Sequence, residues 1–146
     1  MTVRVHLYAH KSYIEKRGMP QSVAELDQHD LIAYPNEARA PVTNINWALH
    51  VGDPPGGERH TALRVNSLYA MFRAVQSGLG IASLPDYVVD NQPDIVRILP
   101  EVSGPRIDAY FVYAEELRHS KRIAVFRDFL VKKVAETFPA SHASNA

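Results

Sequence analysis

The chain has 146 residues, sixteen basic against sixteen acidic side chains, and no cysteine. It is long enough to bury one core. Its balanced charge argues against a DNA-binding module, which carries a basic patch, and the lack of cysteine excludes disulfide and thiol chemistry and fits a reducing cytoplasm. The opening "MTVRVHLYAHKS" holds no apolar run of signal-peptide length, and no stretch approaches a membrane span.

In chain order, "VRVHLYA" alternates apolar and polar residues and predicts a strand. "KSYIEKRG" predicts a short helix capped by Ser12 and ended at Gly18. "SVAELDQHD" predicts a second, with Ser22 and Glu25 at capping-box spacing. "LIAYP" reads as a buried strand stopped by Pro35, and "NINWALHVGD" as another strand before the turn "DPPGGER". "TALRVNS" is a strand leading into a helix on which Leu68, Met71, Phe72 and Val75 recur at helical spacing, with Leu79 beyond the turn. Gly78 stands where a left-handed C-cap belongs. "LGIASLP" is a short buried strand, "DYVVDNQP" a brief helix and "IVRILP" a strand. "RIDAYFVYAEE" reads as a long apolar strand. The longest helix, "SKRIAVFRDFLVKKVAETF", turns Ile123, Phe126, Leu130, Val134 and Phe138 inward and stops at Pro139. The tail "PASHASNA" is expected to be disordered. Strands alternating with helices predict an α/β fold with a mixed, mostly parallel sheet.

The residues that carry chemistry are few. Asn66 and Ser67 stand where a strand gives way to a helix. They serve as an N-cap, and free N–H groups there also attract anions. In open α/β sheets, ligands bind beyond the carboxyl ends of strands. The seven histidines show no zinc-ligand spacing, and no HExxH, GxGxxG, P-loop or GxSxG is present. Catalytic residues, metal ligands and cofactor fingerprints are therefore not expected, and the chain reads as non-enzymatic. Tyr34, Trp47 and Tyr87 read as core or half-buried aromatics, one of which could line a pocket.

Three blocks in order resemble the LysR-type transcriptional regulators. They are Leu7–Tyr34, with Ser12-Tyr13 near the family's S-x-Y, G-x-P and an H-D-hydrophobic strand; Arg64–Val89, with A-V-x-x-GLGIA-x-LP-x-Y; and Ile98–Val134, with L-P, Y-x-V-Y and F-x-D-F-L-like elements. The resemblance implies an effector-binding domain with the two-lobed type II periplasmic-binding-protein fold, here a three-layer Rossmann-like lobe with the other lobe incomplete. It implies a second lobe over 7–105, a returning strand and helix of the first lobe over 106–138, and a tail over 139–146. DNA binding would then need a helix-turn-helix not included in this chain. A small, anionic effector would bind at Asn66 and Ser67, with Tyr34, Pro35, Leu84 and Pro85 nearby at other strand ends. The same resemblance implies a cytoplasmic homo-oligomer with no membrane contact. A free-standing periplasmic-type binding protein is the alternative, and upstream coding sequence would separate the two.

Overall fold

The computed structural model describes residues 2–36, 40 and 42–137. It divides into two units, one of residues 3–107 and one built from residue 2 and residues 108–137. In chain order the regular elements are β1 (Thr2–Val3), β2 (Val5–His10), α1 (Lys11–Arg17), β3 (Leu31–Ala33), β4 (Thr61–Arg64), α2 (Leu68–Gln76), β5 (Ile81–Pro85), α3 (Asp86–Val89), β6 (Ile95–Ile98), β7 (Ile107–Asp108) and α4 (Lys121–Thr137). Single 3-10 turns lie at Ala24–Gln28, Trp47–Leu49 and Glu115–Leu117.

The larger unit is an open five-stranded sheet in the order β4-β3-β5-β2-β6. β3 runs parallel to both β4 and β5, while β2 runs antiparallel to β5 and β6. Four strands therefore share one direction and β2 opposes them. Both faces of the sheet are covered, and strand alternation assigns the residues. Leu7, Ala9, Leu31, Ala33 and Ile81 join one core with Tyr13 of α1, Leu26 and Leu49. Tyr8, Ile32, Ala82 and Leu84 point the other way, onto Met71, Phe72 and Val75 of α2. A side-chain period of two along each strand is what splits one chain into these two cores.

Local signals explain the element ends. Ser67 is extended and its Oγ accepts from the Ala70 N–H at 3.4 Å, which starts α2. Gly78, at φ +70°, ends the helix in the left-handed region, as its position predicted. Gly80 has a different reason: a Cβ there would lie 2.2 Å from the Asp30 carbonyl oxygen, which accepts from the Ile81 N–H as β5 begins.

Several expectations need correction. The N-cap of α1 is His10, not Ser12: the His10 Nδ1 accepts from the Ser12 N–H at 3.1 Å. The Ser22 segment forms a 3-10 turn rather than an α-helix, and Glu25 reaches the Gln21 N–H. "NINWALHVGD" holds no strand. It winds into the Trp47–Leu49 turn, because the Asn46 side chain is held by the Tyr34 backbone and Ala48 and Leu49 are buried from a turn. Leu79 is exposed, since the Gly78 turn carries it off the α2 stripe. The long strand expected from Arg106 is regular only at Ile107–Asp108, which pairs with β1, and residues 109–114 form no regular strand. On α4 no residue is buried: Ile123, Leu130 and Val134 are half-buried and Phe126 is exposed, touching Phe111 edge-on. Phe138 and the tail lie outside the described residues.

Candidate functional site at the carboxyl edge of the sheet

Because β3, β4 and β5 are parallel, their carboxyl ends lie on one edge of the sheet. Tyr34 and Pro35 follow β3, Asn66 and Ser67 follow β4, and Leu84 and Pro85 close β5. The antiparallel β2 begins at the same edge, with Val5 opposite Pro85. An open groove of about 880 Å3 is lined by Pro35, Asn36, Asn44, Ile45, Asn46, Trp47, His50, Val51, Ser103, Gly104 and Pro105, among others.

The six expected residues meet this edge in different ways. Pro35 lines the groove. Tyr34 is buried with its ring in the α2 core, and its backbone is held by Asn46. Asn66 and Ser67 are exposed at the start of α2, and the Ser67 hydroxyl is engaged as the cap. Leu84 is fully buried against α2 and Pro85 is buried. Leu84 therefore offers this edge its backbone and not its side chain.

The groove wall is built by residues that periodicity does not reveal. The Asn46 carboxamide accepts from the Tyr34 N–H at 2.8 Å and donates to the Tyr34 carbonyl at 2.8 Å. Trp47 donates its Nε1–H to Ser83 Oγ at 2.6 Å. Ser83 is a buried polar residue on the strand face that otherwise carries Ile81. Gly104 lies against the indole: a Cβ there would fall 2.5 Å from Trp47 Cε2 and Nε1. The Gly104 N–H donates to the Val5 carbonyl at 2.8 Å, tying the segment after β6 to the sheet.

Two guanidinium groups near this wall are already engaged. Arg59 is buried. Its Nε donates to Asp27 at 2.6 Å, and its terminal nitrogens donate to the carbonyls of Val23, Ala48 and Val51. Arg64 pairs with Glu58 and donates to the Tyr34 carbonyl and Asn36 Oδ1. Beyond β5, the buried His6 meets Asp86 through Nδ1 and Oδ1 at 2.5 Å, and the Tyr8 hydroxyl donates to the same oxygen at 2.9 Å. Burial, and then this bond to Asp86, hold the Tyr8 phenol well above its ordinary range. Among the described residues no group of three metal-ligating side chains comes together, and no helix is long and apolar enough to cross a membrane.

Sequence reasoning singled out Trp47 only as an aromatic and missed Asn46, Ser83 and Gly104. Only the polar Ser83 inside the apolar run "GIASLP" offered a signal.

An open mixed sheet, covered on both faces and grooved where its parallel strands end, is the build of a small-molecule-binding lobe of the periplasmic-binding-protein type. Residues 1–135 match the LysR substrate binding domain model, and the chain belongs to that family. It is 28% identical over 137 residues to the HTH-type transcriptional regulator CrgA of Neisseria meningitidis, a match covering 90% of this chain and 44% of CrgA. It is 27% identical over 116 residues to an uncharacterized HTH-type transcriptional regulator of Haemophilus influenzae, covering 77% of this chain and 39% of that protein. The chain thus spans less than half the length of these relatives. Among solved structures, the CrgA regulatory domain superposes with a TM-score of 0.69 at 26% identity, over 91% of this chain and 65% of that domain. The regulatory domain of AphB from Vibrio vulnificus, at 24% identity and a TM-score of 0.65, shares the fold.

Proposed function

We propose that this chain is the effector-sensing part of a LysR-type transcriptional regulator and that its ligand is a small organic molecule held at the carboxyl edge of β3, β4 and β5. The carrying observation is that these three parallel strands end on one edge of the sheet and that the groove opens from the end of β3, at Pro35 and Asn36, in a chain matched by the family model over residues 1–135. Residues 7–105 act as the second lobe, and residues 106–138 as the returning strand and helix of the first. An anionic group of the effector points to Asn66, Ser67 and the amides at the start of α2, where backbone donors and the helix dipole favour negative charge. Tyr34, Pro35, Leu84 and Pro85 form the adjoining wall. The chain does no chemistry on its ligand. It works in the cytoplasm as a homo-oligomer and touches DNA only through a helix-turn-helix that is not among these residues.

The test is an equilibrium titration of the chain with small carboxylates, comparing wild type with Ser67→Ala and Asn66→Ala. A pocket open on one side buries its ligand incompletely, so affinity near the millimolar range, about −4 kcal/mol, is expected. Both variants should weaken binding. Unchanged affinity in both would leave Asn66 and Ser67 as helix caps and nothing more.

A further inference from the structure

We propose that Trp47 is the surface on which the effector's body is selected, and that the body is a flat, unsaturated ring. This rests on reading the groove as the effector site and adds the class of molecule it takes. Trp47 is the chain's one tryptophan, it is half-buried, and it lines the groove. Its only polar atom is committed to Ser83 at 2.6 Å, within the sheet. The ring is also backed by Gly104, where even a methyl group would strike it, and Gly104 is pinned to Val5 of β2.

The indole cannot turn without breaking its bond to buried Ser83 and striking the backbone at Gly104. With Nε1 engaged, it offers the groove carbon and π surface, continued by Ile45 and Val51. A fixed aromatic plane favours another flat ring over a puckered one of equal size, because the offset faces meet fully and no ordering cost is added on binding. Ser83 is then a positioning residue that acts on the ligand only through Trp47, while Gly104 both lines the groove and holds the ring. The preference expected of one aromatic contact is roughly 3- to 10-fold.

The experiment titrates the whole chain with phenylacetate and cyclohexylacetate, which share charge and length and differ in the flatness of the ring. Calorimetry gives the affinities, and the single indole N–H resonance reports contact at Trp47. The expected result is saturable binding of both, with phenylacetate roughly 3- to 10-fold tighter and displacing the indole resonance by its ring current. Trp47→Leu should abolish the preference and Trp47→Phe should retain part of it, in variants whose unfolding transitions show them folded. Ser83→Ala should shrink the preference. Equal affinities for the two acids, or phenylacetate binding that leaves the indole resonance unmoved, would overturn the role of Trp47 while the effector reading stands. Failure of both acids to bind saturably would overturn the effector reading, and the ring preference with it.

Discussion

The side chain of Asn46 closes both backbone hydrogen bonds of Tyr34, at 2.8 Å each, and so does the work of a neighbouring strand at the point where β3 ends. One residue thereby satisfies two backbone groups and fixes the segment that leads into Trp47. Asn46→Ala should cost about 1–3 kcal/mol, because it leaves the partly buried Tyr34 N–H without its acceptor and the Tyr34 carbonyl with the Arg64 guanidinium alone. Asn46→Asp keeps the acceptor, loses the donor and sets a carboxylate against the Tyr34 carbonyl, so it should not restore stability. Urea unfolding of the three proteins checks this, and a loss below about 0.5 kcal/mol for Asn46→Ala would mean water replaces the amide.

Arg59 should be the most sensitive charged residue in the larger unit. It is 5% exposed and binds Asp27 together with three backbone carbonyls from two segments. Arg59→Ala strips a buried hub and should destabilise by about 3–5 kcal/mol. Arg59→Lys keeps the charge but not the planar fork of donors, so it should recover only part of that loss. Chemical denaturation with both variants reads the difference.

Phe72 tests the phase of α2. It is 9% exposed and packs in the core with Tyr8, Met71 and Leu84. Phe72→Ala should cost about 3–5 kcal/mol. The neighbouring Tyr69 is 69% exposed, and Tyr69→Ala should stay within about 0.5 kcal/mol. Comparable losses at both positions would contradict the helix phase.

The stability of the fold should fall as pH drops through the histidine range, in part through His29. Burial, and then the Arg17 guanidinium, push the His29 imidazole below its ordinary value of 6.5. The unfolded chain therefore takes up this proton at a higher pH than the folded one. Stability is greatest above about 6.5 and declines as pH falls from there toward the lower folded value. His29→Gln should flatten this part of the stability profile, as measured by melting temperature across the range. A wild-type slope that survives the substitution would assign the effect to other groups.

The smaller unit should drive association. Tyr110 and Val112 in the 109–114 segment, and Val125, Phe126, Phe129 and Val131 on α4, are all exposed. So many exposed apolar side chains in one small unit favour burial against another surface. Light scattering should show dimers or larger species whose population rises with concentration, and Phe126→Glu with Phe129→Glu should shift it toward monomer. A wild-type chain that stays monomeric at high concentration would contradict this.

What the sequence determined by itself is whatever repeats locally. The alternation in "VRVHLYA" announced a strand, though only the structure shows it buried on both faces. The spacing of Leu68, Met71, Phe72 and Val75 announced α2 and its buried side, and Gly78 announced where it ends. Three motif blocks in order carried the family, and with it the fold. Such features are legible because a period of two or 3.6 residues, or one glycine in the left-handed region, is enforced by the backbone over a few residues. The groove wall was not legible. Trp47, Ser83 and Gly104 are far apart in the chain and meet only because β5 and the segment after β6 are both tied to β2. The turn at Trp47 was misread as a strand because burial of Ala48 and Leu49 looks alike in either conformation; the Asn46 bond to Tyr34, a contact across the fold, decided between them. The segment 109–114 shows the same limit from the other side. Its residues favour a strand, but a strand exists only where another lies beside it to take its hydrogen bonds, and only the tertiary structure shows whether one does.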